Sequence, residues 1–516
     1  MTMNLHTILK SVEKPGRYTG GEWGQTIKDK NAVDVRFAFC FPDNYEIGMS
    51  NLGIRILYGV LNNEENVWCE RAYAPWPDME EKMREYGIPL YAHESGDPLS
   101  DFDIVGFTLQ YELCYTNVLN MLELGGIPLL ASERGENDPI IIGGGPCAYN
   151  AEPIADFFDV LDIGEGEEML PRFTRMYAKM KREGASRAEI LRATSHLDGF
   201  YVPALYEVEY GADGTISSFE PKYDDIPRTV QKQIIADLDS VYFPDKFVMP
   251  YIETVHDRIV PEVYRGCIRG CRFCQAGMIY RPVREKSPDV LDAQCRRLYE
   301  NTGFDEISLC SLSISDYSRL GELTDKLLSW TDDKKVSLSL PSLRVDSFTK
   351  ELMEKISTVR TSGITFAPEA GTQRMRDVIN KNVHEEELLR ACANAFECGK
   401  NQVKLYFMDG LPTETREDVE GIAKLAKTVV DSYYSNPNVK RGKSPQVTIS
   451  VACFIPKPFT PFQWEAQDTI EMLEEKQHWL REAITDRKIR YTWHDARESD
   501  RGCVCARRPQ TVGGSA

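Results

Sequence analysis

The stretch VYRGCIRGCRFCQAGM, residues 263–278, decides how the second half of the chain is interpreted. Cys267, Cys271 and Cys274 have the spacing C-x-x-x-C-x-x-C on one short loop that is rich in glycine and arginine. The loop follows RIVPEVY, whose apolar pattern is typical of a strand. Three thiolates on one loop indicate a metal site, yet a closed tetrahedral site requires four ligands. The sequence therefore leaves one ligand position to be explained.

Three kinds of site are considered for this loop. A zinc site would need a fourth ligand from Cys295, inside a predicted helix, or from His256, ahead of the strand, and neither belongs to the loop. Unligated thiols would have no reason to cluster on a polar loop. A four-iron–four-sulfur cluster with one open iron needs only three cysteines. The spacing therefore favours an iron–sulfur cluster.

The residues around the loop predict a parallel barrel. Six candidate strands are separated by amphipathic segments of helical length, and they are RIVPEVY, DEISLCSL, KVSLSLP, SGITFAP, QVKLYFM and QVTISVACF. Six such units with right-handed crossovers predict a partial (β/α)6 barrel of TIM type. Chemistry in this fold lies at the carboxyl ends of the strands, which is where the cysteine loop is placed.

The first half of the chain has a different organisation. Strand and helix patterns alternate from residue 33 to residue 180, which predicts a doubly wound (Rossmann/flavodoxin-like) α/β domain. The stretch after it, rich in Tyr, Gly and Asp, predicts a β-hairpin connector. We expect domains at residues 1–196, 197–250 and 251–485, followed by a tail at 486–516.

Composition limits the location and the partners of the chain. It has 516 residues and a formal net charge of −19, which argues against broad binding to nucleic acid. No apolar run approaches the ~20 residues that cross a bilayer, and the N-terminus lacks the apolar core of a signal peptide. We expect a cytoplasmic protein without membrane contact, whose other cysteines are buried free thiols.

Phe273, the aromatic residue before the third cysteine, completes a motif in which the chain resembles the radical S-adenosylmethionine (SAM) superfamily. The resemblance implies that SAM chelates the fourth iron, which accounts for the missing ligand. It implies reductive cleavage of SAM to a 5′-deoxyadenosyl radical, with electrons from a flavodoxin or ferredoxin type of donor. Further catalytic residues and the substrate stay unknown.

The same resemblance implies residues that bind SAM at the strand ends. These are Phe273, Ser311, Ser313, Glu369, Thr372, Lys381, Met408 and Ile455. The serines would meet the amino group, Lys381 the carboxylate, and Met408 and Ile455 the adenine. Two alternatives stay open, since SLSISDYS also fits a helix N-cap and Lys381 a solvated helix end.

Residues 33–180 resemble the cobalamin-binding domain that many superfamily members carry. The resemblance implies cobalamin contacts at Asp43, Tyr45, Gly48, Thr108 and the glycines Gly143, Gly144 and Gly145. A histidine ligand of cobalt would stand in D-x-H-x-x-G, but this chain has Tyr45 there, in DNYEIG. We therefore expect cobalamin without a protein imidazole on its lower face. A sheet that only covers the barrel is the alternative.

These observations predict a radical SAM enzyme, with cobalamin-dependent methyl transfer as one outcome. One alternative is a methylthiotransferase acting on RNA or a ribosomal protein, which would carry a second cluster. The remaining cysteines of the first half, Cys40, Cys69, Cys114 and Cys147, are scattered and do not suggest one. The other alternative is a non-catalytic iron–sulfur sensor or assembly protein.

The tail departs from the family after residue 499. Codons can be chosen for it whose neighbouring frame reads TEAVFARGDRRLSEVL, an amphipathic string. We therefore expect that a single-nucleotide shift replaced the native end. Residues 500–516 are then expected to be disordered, and Cys503 and Cys505 to bind nothing.

Overall fold

The computed structural model describes residues 5–212, 214–341, 344–345, 364–440 and 442–507, with the backbone alone for 503–507. The chain divides into two compact units. One contains most residues up to Asp257, and the other most residues from Arg258 to Ala506. Within the described residues, no helix combines the length and the hydropathy that crossing a membrane would require.

The first unit contains a six-stranded sheet in the order β2-β1-β3-β4-β5-β6, parallel except for its last strand. Its strands are β1 Val35–Phe41, β2 Val67–Tyr73, β3 Ile104–Thr108, β4 Ile140–Gly144, β5 Val160–Asp162 and β6 Phe200–Tyr201. Its helices are α1 Leu5–Leu9, α2 Tyr45–Gly48, α3 Leu52–Asn62, α4 Pro77–Tyr86, α5 Tyr115–Leu124, α6 Gly166–Arg182 and α7 Arg187–Ser195. The order 2-1-3-4-5 confirms the predicted doubly wound fold.

Strands β1 and β2 are buried along their whole length. Every residue of β1 and of β2 is buried, as expected for parallel strands that are covered on both faces. An antiparallel hairpin follows the sheet, formed by β7 Tyr206–Tyr210 and β8 Ile216–Pro221. It lies within the segment for which a hairpin connector is predicted.

The second unit contains the parallel strands of the barrel and, on either side of the cysteine loop, two short strands that pair antiparallel with each other. Their bounds are β9 Tyr264–Arg265, β10 Arg284–Glu285, β11 Glu306–Ser308, β12 Ser337–Ser339, β13 Ile364–Glu369, β14 Gln402–Asp409, β15 Gln446–Cys453 and β16 Ile489–Trp493. Strands β11 and β12 pair in parallel, and so do β13 to β16 in sequence order. Parallel bridges from Ile259 to Ile307 and from Glu262 to Cys310 place the segment before the cysteine loop beside β11.

Helices alternate with these strands, which confirms the predicted barrel-type fold. They are α8 Ala276–Ile279, α9 Pro288–Thr302, α10 Leu320–Lys334, α11 Gln373–Val378, α12 Glu385–Glu397, α13 Arg416–Ser435, α14 Ile470–Ala483 and α15 Ala496–Arg507. The apolar side chains of β13 to β16 that face the helices, such as Leu405 and Ile449, form one core cluster with α12 and α13. Strand β14 therefore alternates between buried and accessible positions.

The C-terminal part differs from the prediction in two ways. Strand β16 extends the sheet by pairing with β15, where only a tail is predicted. Helix α15 continues to Arg507, so the expectation of disorder is wrong for residues 500–507. Ala496, Ser499 and Gly502 are buried at intervals of three, and this stripe of small residues carries no large apolar signal in the sequence. The side chains of Cys503 and Cys505, and all of residues 508–516, lie outside the described part.

Candidate active site

The cysteine loop connects β9 to α8 at the carboxyl end of the first barrel segment. Cys267, Cys271 and Cys274 are all half-buried. The backbone N–H of Arg269 donates to Sγ of Cys267 over 3.4 Å, and that of Gly277 donates to Sγ of Cys274 over 3.4 Å. Hydrogen bonds of this kind favour a thiolate, which is the form that ligates metal.

The loop is held from one side by the segment after α11. The backbone N–H of Arg272 donates to the carbonyl of Ile379 over 3.0 Å. The Asn380 side-chain amide donates to the carbonyl of Gly270 over 2.8 Å, from a backbone with φ of 52°. Asparagine tolerates this left-handed conformation better than most residues. The cysteine loop and this segment therefore form one hydrogen-bonded unit.

The loop is also held at its own two ends. Arg281 donates to the carbonyls of Gly277 and Arg269, over 2.8 and 2.9 Å. Gly266, ahead of the first cysteine, has φ of 93°, and a Cβ there would lie 2.8 Å from the carbonyl oxygens of Tyr280 and Pro282. Only glycine permits this close approach without strain.

The three cysteines line one cavity of about 340 Å³. Of the other residues proposed for SAM, Phe273, Ser313, Glu369 and Lys381 also line it. The structure therefore brings the cysteine loop together with three residues from later segments of the chain. Its remaining lining includes Arg269, Arg344 and Tyr406, which the sequence analysis does not propose.

Opposite charges are paired around this cavity. Lys381 Nζ lies 3.0 Å from Glu369 Oε1. Arg269 binds the carboxylate of Asp316 through both of its oxygens, with Nε to Oδ2 at 2.8 Å. The Ser313 hydroxyl donates to the same carboxylate over 2.7 Å. Burial alone would raise the pKa of Asp316, but these hydrogen bonds outweigh burial and lower it.

For two of the cysteine thiols, burial is the effect that decides the direction of the pKa shift. Burial raises the pKa of Cys271 and of Cys274, while the positive charge of Lys381 opposes that rise. Arg344 opposes it at Cys271 as well. A bound cationic cluster would add to these charges and would hold the thiols deprotonated.

Four residues proposed for SAM are not part of the cavity lining. Thr372 is the N-cap of α11, accepting from Met375 N over 3.3 Å and donating to Asp418 over 2.5 Å. Met408 packs in an apolar cluster with Phe273. Ile455 lies beside Gly502 of α15, and Ser311 precedes the lining residue Leu312. Their roles toward SAM stay predictions.

The donor set fits an open iron–sulfur cluster. Among the described residues, no group of three or more His, Cys, Asp or Glu side chains is arranged to hold a single metal ion. A four-iron cluster makes a different demand, because each cysteine binds a separate iron. The three thiols share one cavity with backbone N–H donors and cationic side chains. These are the features that a cluster and the carboxylate of SAM require.

The residues proposed for cobalamin lie in the first unit. Asp43 follows β1, Thr108 ends β3 and Gly145 follows β4, so all three lie at the carboxyl edge of neighbouring strands. A Cβ on Gly143 would lie 2.7 Å from the ring of Phe158, and one on Gly144 would overlap the Asp162 carboxylate. The space that these two glycines leave is therefore filled by Phe158 and Asp162.

Tyr45 is buried and engaged with its neighbours. Its hydroxyl donates to Glu22 Oε1 over 2.9 Å, and its ring stacks on His93 at 5.7 Å between centroids. Arg71 also pairs with Glu22, over 3.0 Å. Burial would raise the pKa of Glu22, but His93 and Arg71 lower it strongly. The engaged hydroxyl of Tyr45 therefore does not fit a ligand of cobalt.

Comparison with known proteins places the chain in a class. Residues 53–203 match the family model described as radical SAM proteins, N-terminal, and residues 262–426 match the radical SAM superfamily. The chain belongs to the radical SAM superfamily and is an enzyme of that class. The cofactors of this class are a four-iron–four-sulfur cluster and SAM, and its members require a reductant.

Particular relatives are similar over different lengths. An uncharacterised protein of Methanocaldococcus jannaschii is 28% identical over 476 residues, covering 91% of this chain and 88% of the relative. A provisionally assigned methylthiotransferase of the same organism is 26% identical over 167 residues, covering 30% and 36%. The structure of the radical SAM methyltransferase TsrM from Kitasatospora setae, with cobalamin and a [4Fe-4S] cluster bound, has a TM-score of 0.53 and 14% identity. It covers 85% of this chain and 78% of TsrM, and this likeness concerns the fold.

Proposed function

We propose that the chain is a cobalamin-dependent radical SAM enzyme that transfers a methyl group to a substrate. Cys267, Cys271 and Cys274 would hold the cluster, each on a different iron, and SAM would occupy the fourth. The observation that carries this proposal is the convergence of the three cysteines, Glu369 and Lys381 on one cavity. A flavodoxin or ferredoxin type of protein would supply the electron.

The cluster, when bound, supplies the electron that breaks the C5′–sulfur bond of SAM into methionine and a 5′-deoxyadenosyl radical. Lys381 can pair with the methionine carboxylate, because its Nζ already contacts a carboxylate in this structure. Glu369 can accept from the methionine amino group. Phe273 lines the cavity and packs against an apolar cluster, so it would help to exclude water from bound SAM.

Cobalamin, when bound, carries a methyl group from SAM to the substrate. Asp43, Thr108 and Gly145 would contact it at the carboxyl edge of the first sheet. The fold shared with TsrM, a protein whose structure contains cobalamin, supports this part of the proposal. The engaged hydroxyl of Tyr45 supports binding without a protein ligand on cobalt.

Methylthiotransferase activity is the second candidate, because a relative with that provisional assignment matches 30% of this chain. Cys40 and Cys69 are fully buried, and burial raises the pKa of both thiols, so they are poor ligands for a second cluster. Counting iron after reconstitution separates the candidates. One cluster per chain supports the methyltransferase proposal, and two support the alternative.

The proposal is tested with the full chain after anaerobic reconstitution with iron and sulfide. SAM and dithionite are added, and 5′-deoxyadenosine and methylcobalamin are measured by mass spectrometry with and without added cobalamin. We expect 5′-deoxyadenosine from the wild type and from Cys295→Ala, whose thiol is buried in α9. The Cys271→Ala variant is expected to form none. A reconstituted wild type that leaves SAM intact would contradict the proposal.

A further inference from the structure

The inner face of β13 to β16, opposite the helices, is polar and accessible. We define it by the side chains of Thr365, Lys404, Tyr406, Thr448, Ser450, Arg490 and Thr492. The alternate residues of the same strands, including Phe366, Leu405, Val447 and Ile489, form the core against the helices. Tyr406 is 41% exposed although it lies in the middle of its strand. Barrel interiors are ordinarily filled by Val, Ile and Leu, so a polar and accessible inner face is a departure from that pattern.

Two cationic residues of the inner face, Lys404 and Arg490, lie at the same register position of the strands on either side of β15, which we call one level of the face. In the strand register, Thr448 of β15 is paired with Lys404 on one side and with Arg490 on the other. Neighbouring strands are about 4.8 Å apart, so the two cationic residues begin about 10 Å apart, and their long side chains can converge over Thr448. Among the described residues, neither Lys404 nor Arg490 forms an ion pair.

The chemistry of this level is suited to an anion. Lys404 Nζ donates to the Tyr406 hydroxyl over 2.9 Å and lies 4.5 Å from the centre of its ring. Together with the Thr448 hydroxyl, the level presents two positive charges and two hydroxyls. The chain has 80 acidic against 61 basic residues, so two aligned cations without carboxylate partners are unexpected there. Lys404 is partly accessible and Arg490 is exposed, so both cations can receive a negative partner from outside the chain.

We infer that the inner face binds an anionic group of the substrate, a carboxylate or a phosphate, through Lys404 and Arg490. The inference rests on the proposed function, since it names the class of substrate for the same barrel. Thr365 and Tyr406 line the cysteine cavity as well as belonging to the inner face. The substrate would therefore place its reacting carbon toward the cysteines and its anionic group one level further from them.

The test measures anion binding by the cluster-reconstituted full chain, using calorimetry at low ionic strength. SAM is present so that it occupies Lys381, and reductant is absent so that no cleavage takes place. Citrate and inorganic phosphate are the two probes, and the one that binds identifies the source of the charge. We expect the K404Q/R490Q double variant to bind that probe about tenfold more weakly or worse, because charge-assisted hydrogen bonds are lost.

A matched variant controls for net charge. R390Q/K424Q removes one arginine and one lysine that are exposed on α12 and α13, outside the barrel. This variant is expected to bind the probe as the wild type does. Equal binding by K404Q/R490Q and by the control, or binding of neither probe to the wild type, would overturn the inference. Iron content of each variant verifies that the barrel has folded.

The outcome of the anion-binding experiment can be distinguished from the outcome of the test of the proposed function. Probe binding needs no radical chemistry, so it is measured whether or not the wild type cleaves SAM. A chain that binds the probe through Lys404 but leaves SAM intact refutes the proposed reaction and keeps the anion site. A chain that cleaves SAM but binds neither probe refutes the anion site alone.

Discussion

At the scale of single residues, each cysteine of the loop is expected to be required for the cluster, because none of the three can replace another. Each thiol would hold a different iron, so the loss of any one leaves an iron without its protein ligand. We predict that Cys267→Ala, Cys271→Ala and Cys274→Ala each lose most of the bound iron after anaerobic reconstitution. Cys295→Ala is the control, because its thiol is buried away from the loop. Full iron content in any of the three loop variants would refute the assignment of ligands.

Lys381 is the residue on which SAM binding is expected to depend most. Its ammonium lies 3.0 Å from Glu369 and only 13% of its side chain is exposed, so it is positioned before SAM arrives. We predict that Lys381→Met weakens SAM binding about tenfold, measured by equilibrium dialysis on cluster-loaded protein. Lys427→Met, on the surface of α13, should leave affinity unchanged. Equal affinities in the two variants would show that another cation receives the carboxylate.

At the scale of elements, the segment after α11 supports the cysteine loop. Asn380 and Asn382 both have left-handed backbones, with φ of 52° and 51°. Only the Asn380 side chain donates to the loop, at Gly270. We predict that Asn380→Gly releases iron to a chelator about fivefold faster, since one hydrogen bond of about 1 kcal/mol is lost. Asn382→Gly keeps the same backbone preference and serves as the control, so equal rates would contradict the prediction.

Strand β14 and helix α14 enclose a group of carboxyls with raised pKa values. Burial raises the pKa of Asp409 to about 6 and that of Glu414 to about 7. Lys476 of α14 is 3.0 Å from Glu414 and 2.6 Å from Asp468. Its positive charge limits the rise in the pKa of Asp409 and of Glu414. A carboxyl with a raised folded pKa holds its proton longer in the folded state. Its contribution to the free energy of unfolding therefore falls as pH rises from its unfolded pKa to its folded one.

For Asp409 this window runs from the ordinary value of 3.8 to about 6. We predict that Asp409→Asn removes part of the loss of stability across that window, measured as the change in melting temperature between the two ends. The exposed Asp431→Asn variant should keep the slope of the wild type. The same pH slope in Asp409→Asn and in the wild type would show that Asp409 does not titrate in this way.

Sequence patterns predict individual helices and strands better than they predict which helices and strands contact each other. The alternation of β14 is visible in QVKLYFM, and the spacing of the three cysteines predicts the cluster ligands. The sequence cannot show that Arg344 and Tyr406 reach the cysteine cavity, because this depends on which strands become neighbours. Strand β16 is missed because IRYTW is short and stands next to a segment that departs from the family. Helix α15 is missed because its buried stripe consists of small residues.

At the scale of the whole molecule, one chain combines a doubly wound domain with a radical SAM barrel. The doubly wound domain keeps the carboxyl edge at which Asp43 and Thr108 lie, but it has replaced the histidine of the cobalamin motif with Tyr45. The tyrosine is not free to take over that function, because its hydroxyl is bound to Glu22 in the core. If this chain binds cobalamin, cobalt should have no nitrogen ligand from the protein.

Electron paramagnetic resonance of the cob(II)alamin state tests this directly, since a coordinated nitrogen splits each cobalt line. We predict that any nitrogen splitting is unchanged when the protein is uniformly labelled with ¹⁵N, because only the cofactor's own base can cause it. Tyr45→Phe should keep the spectrum of the wild type, since the phenol is not a ligand. His93 is the imidazole stacked on Tyr45, so His93→Ala is the variant that examines the opposite case. A splitting that changes with the label and disappears in His93→Ala would mean that the domain binds cobalt through a histidine outside the motif.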